Sequence, residues 1–248
     1  MNNNVGIQLD YSSHNVILSN NASLNNNHGI ELFESSDNNI IAENDISSNL
    51  DGIEILHSSN NIISKNRFFS NRGDGILLYA SGGVTRNNTI NNNDVSYNAH
   101  GVALYYSGAS NNRIFHNNFI NNIAQAFSSE ATNIWDIDYP YGGNHWSDYI
   151  GGDSDGDGIG DTPYIIDANN LDHYPLMNPY GSPAESRTWT VDDDGPADFP
   201  TIQEAVDAAR PGDTIFVRNG TYTEEQVSIK KSLKLVGESK NATVIDGA

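Results

Sequence analysis

Cysteine is absent from the 248 residues, so neither disulfides nor thiol chemistry is available. Basic residues are scarce: 12 Lys and Arg stand against 32 Asp and Glu, a net charge of −20. Nucleic acid is bound by neutralising its phosphates with Lys and Arg, so this balance excludes it as a partner. No apolar run approaches the roughly 20 residues that a membrane span needs. Also missing, before the last quarter of the chain, is any stretch of helical length with a 3.6-residue apolar period. No secretory leader is expected either, since Met1 is followed at once by Asn2-Asn3-Asn4. The chain opens in mid-pattern, as if Met1 preceded a mature unit or an excised segment.

What is present is repetition. Glycine, an aliphatic, a variable residue and an aliphatic recur at Gly6–Leu9, Gly29–Leu32, Gly52–Ile55, Gly75–Leu78 and Gly101–Leu104, with glycine spacings of 23, 23, 23 and 26. A second element keeps phase with it at Asn15–Asn20, Asn39–Asn44, Asn61–Asn66 and Asn112–Asn117. Such a period means one small unit stacked on copies of itself. Several short apolar runs per unit, broken by Asn, Ser and Gly, predict an all-β chain: a right-handed parallel β-helix with Ile, Leu and Val stacked inward. Asn, 29 of the first 122 residues, suits left-handed corners and hydrogen-bonded side-chain ladders. A leucine-rich repeat shares the period, but its Leu-x-x-Leu-x-Leu frame is missing. Three regions follow: coils over 1–130, an aromatic and Asp/Gly-rich region over 131–187, and a cap-like segment over 188–248.

The middle region carries Asp153-Ser154-Asp155-Gly156-Asp157-Gly158-Ile159-Gly160-Asp161. Asp153, Asp155, Asp157 and Asp161, with the carbonyl of Ile159, match most of an EF-hand-type calcium loop. Calcium takes six to eight oxygens, and a turning loop of alternate Asp aims several at one centre. The twelfth position is Tyr164, so a further acid is needed, with Asp148, Asp167 and Asp172 as candidates. Ca2+ is the expected ligand, in a structural role.

The coils, the run Gly143-Asn144-His145-Trp146-Ser147-Asp148-Tyr149, the Asp/Gly loop, Thr162-Pro163-Tyr164 and Asp172-His173-Tyr174-Pro175-Leu176-Met177 together resemble the NosD-like β-helix proteins of archaeal surfaces, within the pectin-lyase-like superfamily. Copper delivery is implied for some members. It needs clustered Met, Cys or His, and two Met, no Cys and seven scattered His do not supply them. Trp189–Asp193 and Asp198–Ala209 resemble the amino-terminal cap of such proteins, here at the carboxyl end. Thr201 and Glu204 form a capping box, and Ile202, Ala205, Val206 and Ala209 form one apolar helical face. Strands are expected at Thr214–Val217, Gln226–Ile229, Ser232–Val236 and Thr243–Ile245.

Coils, loop, then cap leaves the first coil bare and the cap with nothing to cover. Head-to-tail self-assembly, excision from a tandem array and circular permutation each account for that order. Under the first, the chain is a calcium-stabilised extracellular or cell-surface subunit stacking into a filament, with Val5, Ile7, Leu9, Val16 and Leu18 meeting Ile202, Val206, Leu233, Leu235, Val244 and Ile245 of the next copy. The alternative is a carbohydrate-binding or polysaccharide-processing module. Outward ladders Gln8/Glu31/Glu54/Leu77/Ala103, Asp10/Phe33/Leu56/Tyr79/Tyr105 and Tyr11/Glu34/His57/Ala80/Tyr106 then offer a glycan face of Glu31, Glu54, His57, Tyr79 and Tyr105. Those acids read as solvated, so no enzyme activity is expected. Asn21, Asn87, Asn219 and Asn241 head glycosylation sequons.

Overall fold

The computed structural model describes residues 3–181, 188–209, 213–229 and 233–247. They form two compact units, dividing between Tyr180 and Gly181.

The first unit is a parallel β-helix of three sheets. Six longer strands, Ile7–Asp10, His28–Phe33, Asp51–Leu56, Asp74–Tyr79, His100–Tyr105 and Ala124–Ser129, form one sheet in that order. Two sheets of short strands, one starting at Val16–Leu18 and the other at Asn21–Ser23, complete the coils, the strands being three residues long except His145–Trp146. The register is the one the repeat predicts: Ile7 lies beside Ile30, Ile30 beside Ile53, Ile53 beside Ile76 and Ile76 beside Val102. Ile30, Leu32, Ile53, Ile55, Ile76, Leu78, Val102 and Leu104 are all fully buried. Each burial of such a side chain contributes about 1.5–3 kcal/mol.

Asparagine sets the corners. Three columns of Asn, buried beyond Asn15 and Asn20 of the first coil, run the length of the unit: Asn15, 39, 61, 88, 112 and 133; Asn20, 44, 66, 93, 117 and 144; and Asn25, 49, 71, 98 and 122. In each step the backbone N–H of one Asn donates to the side-chain oxygen of the next, at 2.7–3.1 Å. The left-handed conformation falls on the residue just before each column Asn through Asn122, and Asn60, Asn87, Asn92, Asn111 and Asn121 bear out Asn at these corners. It occurs at Asn38, Glu43, Ser48, Lys65, Ser70, Tyr97 and His116, whose φ values lie between 53° and 60°. The strained residue need not be Asn, because the bonds of the following Asn over-determine the turn.

Glycine is required where a long strand begins. A Cβ on Gly29 would lie 2.5 Å from Ile46 Cγ2 and 2.8 Å from Asn49 Nδ2. Ala80, expected to face outward, is 3% exposed and packs in the core instead.

Residues 131–180 close the far end of the solenoid. Trp146 stacks on Phe119 at 4.6 Å and on Tyr164 at 4.2 Å, extending the core as a column of rings. The hairpin Tyr164–Asp167 with Asn170–Asp172 supplies acceptors that end two Asn columns: Asn133 N–H donates to Asn170 Oδ1 at 2.9 Å and Asn144 N–H to Asp172 Oδ2 at 2.7 Å. The third column ends where Asn122 Nδ2 donates to Gln125 Oε1.

In the second unit, Thr188–Val191, Thr214–Val217 and Lys234–Gly237 form one parallel sheet, and Gly220–Thr223 pairs with Thr243–Asp246. Helix Ile202–Ala208 is capped by Thr201, whose hydroxyl accepts from Glu204 N–H. Gln226–Ile229, expected as a strand, is irregular, and the Ser228 N–H donates to Gln203 Oε1 instead. Ser232, like Pro183, Pro211 and Gly212 of the expected linker and turn, lies outside the described residues. Ile202 and Val206, assigned above to an assembly interface, are 0% and 1% exposed, packed with Val191, Ile215, Val217 and Tyr222. They hold the unit's own core, which corrects that assignment. Val16 and Leu18 also depart from it, since they flank inward Ile17 and face sideways.

Candidate functional site

The outer face of the long-strand sheet is the most densely functionalised surface of the first unit. Its central row runs Gln8, Glu31, Glu54, Leu77, Ala103 and Phe127, in the predicted register. On one side lie Asp10, Phe33, Leu56, Tyr79, Tyr105 and Ser129, and on the other His28, Asp51, Asp74, His100 and Ala124. The second flank is the residue just before each motif glycine. In a regular strand, residues three apart point to opposite faces. His28 and Glu31 nevertheless meet, because the position of Gly29 points inward, as does Ile30.

Glu31 is not solvated, contrary to expectation: it is 9% exposed, Asp51 and Asp74 on the same face are 8% and 7% exposed, and Glu54 is half-buried. The imidazole of His28 lies between two of them, with Nε2 3.2 Å from Glu54 Oε2 and Nδ1 3.4 Å from Asp51 Oδ2. Nδ1 is buried without a well-formed hydrogen bond. Gln8 Nε2 donates to Glu31 Oε2 at 2.8 Å, and Asp74 N–H donates to Asp51 Oδ1 at 2.7 Å. Burial pushes the Glu54 carboxyl up to about 7, the nearby His28 opposing and Glu31 adding to the rise. Burial pulls His28 down, but the Asp51 contact and the charges of Glu54, Asp51 and Glu31 outweigh it, so His28 is raised. Burial likewise raises Asp74, against the pull of His100, whose Nδ1 lies 2.7 Å away.

Further along the coils the face turns aromatic. Tyr79 and Tyr105 lie 6.1 Å apart, and Phe127 sits 5.1 Å from Tyr105 and 5.6 Å from His100. The structure thus brings Glu31 to Glu54 and Tyr79 to Tyr105. It does not bring in His57, whose Nδ1 pairs with Glu34 at 3.0 Å and whose Nε2 faces Ser81 O at 3.0 Å on the adjoining turn. His28, Asp51, Asp74, His100 and Phe127 escaped the sequence reading. For the first four a signal was there, in the run His, Asp, Asp, His one place before the second to fifth motif glycines.

In the Asp/Gly loop, one oxygen each from Asp153, Asp155 and Asp157 lies within 4.8 Å of the others. Asp153 Oδ1 is buried with no hydrogen-bond partner. Asp161 is turned to Ser154, accepting from its N–H at 2.9 Å and its hydroxyl at 2.6 Å. Ile159 is 9% exposed, its N–H donating to Asp157 Oδ1. None of the three reserve acids is grouped with these oxygens. Asp148 accepts from the Tyr164 hydroxyl, Asp167 from Asn169 and Asn170, and Asp172 from Asn144 and Trp146.

Residues 1–151 match the family described as periplasmic copper-binding protein (NosD). The chain belongs to the NosD family. Over 78 residues it is 40% identical to the probable ABC transporter binding protein NosD of Stutzerimonas stutzeri, a match covering 31% of this chain and 17% of that protein. The corresponding protein of Pseudomonas aeruginosa matches at the same identity over 78 residues, 18% of its length. The chain therefore spans under a fifth of the curated NosD proteins it matches. Among solved structures, the periplasmic alginate epimerase AlgG aligns with 96% of this chain and 43% of its own, at 17% identity and a TM-score of 0.45. The PL6 family alginate lyase AlyGC aligns with 94% of this chain and 46% of its own, at 14% identity and a TM-score of 0.21. Likenesses this distant say nothing about activity.

A NosD copper site would have to be built from the donors present. Cuprous ion takes thiolate and thioether sulfur; cysteine is absent, and Met177 is the one methionine among the described residues. The cluster of His28, Glu31 and Glu54 offers one nitrogen and carboxylate oxygens. These residues do not fit cuprous copper. No helix among the described residues is long and apolar enough to cross a membrane. Asn21, Asn87, Asn219 and Asn241 are all exposed.

Proposed function

We propose that this NosD-family β-helix is an extracytoplasmic saccharide-binding module that holds a neutral glycan along the outer face of its long-strand sheet. The observation that carries this reading is the grading of one continuous face from the carboxylates of buried Glu31 and half-buried Glu54 to rings at Tyr79, Tyr105 and Phe127. Carboxylates accept hydrogen bonds from sugar hydroxyls, and aromatic rings cover the apolar C–H faces of the sugar. Coils repeat every ~4.8 Å, so successive rungs meet successive portions of an extended chain. None of the six strands contains Lys or Arg, so a uronate polymer would meet only like charge. Native electrophoresis through gels containing a neutral glucan, a neutral mannan or alginate tests this. Retardation by a neutral polymer that is lost on Tyr105→Ala is expected; retardation by alginate alone overturns the reading.

Calcium at Asp153, Asp155 and Asp157, with the Ile159 carbonyl and Asp161 after a small rearrangement, completes the proposal as a structural ion of the end region. Three converging carboxylates and the unsatisfied Asp153 oxygen support it.

A second reading, end-to-end stacking of copies at the cell surface, has one specific support. Leu235 and Ile245 stand beside buried Ile215 and Tyr222, yet are 37% and 49% exposed on edge strands. Val244 is exposed beside them, and Leu233 is half-buried. On the first unit Ile7 and Leu9 stand likewise beside buried Ile30 and Leu32, with Val5 half-buried nearby. Negative-stain microscopy with calcium and with chelator separates the readings: filaments support stacking, and monomers at high concentration overturn it.

A further inference from the structure

We propose that His28, Glu31 and Glu54 form a binding site for a divalent transition-metal ion of the zinc type, with Asp51 as the positioning residue behind the imidazole. The three residues come from two adjacent rungs, and one donor atom of each lies within 4.8 Å of the others. Zinc binds imidazole nitrogen and carboxylate oxygen at about 2.0–2.1 Å in tetrahedral geometry, which places any two ligand atoms about 3.3 Å apart. His28 Nε2 and Glu54 Oε2 are 3.2 Å apart, already at that spacing. Glu31 has one oxygen held by Gln8 at 2.8 Å and shares a side-chain hydrogen bond with Glu54, so a small swing of its carboxylate, with loss of the shared proton, completes the set.

The outer shell is built for the same purpose. A metal-binding histidine characteristically presents its other ring nitrogen to a carboxylate, which fixes the tautomer and the ring plane. Asp51 Oδ2 occupies that place at 3.4 Å from Nδ1, and Asp51 is itself held by the Asp74 N–H at 2.7 Å. The weak Nδ1 contact is the one unsatisfied polar group of the cluster. It shortens when Nε2 gives its lone pair to an ion and Nδ1 carries the proton. A fourth position is open: a polar cleft of about 570 Å³ borders His28, Glu31 and Gln8 and admits a water ligand. Electrostatics agree, since three carboxylates crowd one imidazole in a largely buried setting and a dication neutralises them where an added proton does so only in part. One nitrogen with carboxylate oxygens suits a borderline ion. The site lies at the acidic end of the glycan face but does not depend on saccharide binding.

Titration calorimetry of the full chain with zinc chloride, after chelation and in excess calcium to occupy the Asp153–Asp157 loop, tests the assignment. One equivalent is expected in the wild type. Glu31→Gln and Glu54→Gln should weaken it more than tenfold, Asp51→Asn by about 10- to 100-fold, and Asp155→Asn not at all. Cobalt substituted for zinc should give tetrahedral visible absorption that vanishes in His28→Gln, with circular dichroism confirming that each variant is folded. Absence of zinc binding by the folded wild type overturns the site, as does undiminished affinity in Glu31→Gln and Glu54→Gln. Loss of zinc in Asp155→Asn would move the ion to the loop and equally overturn it.

Discussion

Replacing Asn93 by Ala tests whether the Asn columns or the aliphatic core hold the coils in register. Asn93 is fully buried. Its Nδ2 donates to Ile63 O at 2.9 Å, Asn91 O at 3.0 Å and Asn117 Oδ1 at 2.8 Å, while its Oδ1 accepts from Asn66 N at 2.9 Å and Asn66 Nδ2 at 3.1 Å. Truncation removes all five bonds. Each net bond contributes about 1 kcal/mol, and a buried donor left bare, as the Asn66 N–H would be, costs about 1–3 kcal/mol. With some re-pairing the loss is about 3–5 kcal/mol, a large share of the roughly 5–15 kcal/mol by which a domain is stable. Asn93→Asp should cost more still, because it sets a buried oxygen against three acceptors. Asn21→Ala, at an exposed position of the first strand in its sheet, should change stability by no more than about 0.5 kcal/mol. Urea unfolding followed by far-ultraviolet circular dichroism gives the three values, with the midpoint compared at constant slope. An Asn93→Ala loss as small as that of Asn21→Ala, or an Asp variant as stable as the Ala variant, refutes a role for the columns.

Three further outcomes follow from the same structure. Burial raises Asp172 from 3.8 to about 7, the N–H donors of Asn144, Trp146 and Tyr174 offsetting part of the rise. The folded state therefore holds a proton between those values that the unfolded state releases, so stability is full below pH 4 and falls as pH rises through about 7. The fall is on the order of 4 kcal/mol, and urea midpoints across that range should lose this slope in Asp172→Asn. Gly75→Ala places a Cβ 2.6 Å from Val95 Cγ1 and 2.8 Å from Gly101 O; it should cost about 2–3 kcal/mol in the same assay. Millimolar calcium should raise the thermal midpoint of the wild type, and Asp155→Asn with Asp157→Asn should abolish the rise; an equal rise in that variant would place the stabilising ion elsewhere.

The repeat was legible because every coil writes the same instruction: glycine at the tight start of a long strand, aliphatics at alternate positions and Asn at the corners. Even the register followed from the spacing alone. Two kinds of information were not local. Whether Glu31 and Glu54 are wet depends on His28 and Asp51 standing on the neighbouring row, and that row shares the face only because Gly29 turns the backbone. The part played by residues 131–180 was also hidden. Trp146 and Asp172 are far apart in the chain until the hairpin folds over the last coil and the indole N–H donates to the carboxylate at 2.9 Å. In the second unit, the apolar helix face at Ile202 and Val206 was read correctly as apolar and wrongly as available, since periodicity does not say what covers a face.

The Asn columns also give the molecule a vector. In every step of all three, the backbone N–H of the lower-numbered Asn donates to the side-chain oxygen of the higher-numbered one, so these bonds all run the same way along the axis. The second column delivers its donor end to the Asp172 carboxylate, much as a helix delivers its amino terminus to an anion. Two copies joined rim to rim at the first coil, by a dyad perpendicular to the axis, would set the side-chain oxygens of Asn15, Asn20 and Asn25 against one another at three corners at once. Coils added to this scaffold, whatever their source, have to arrive facing the same way.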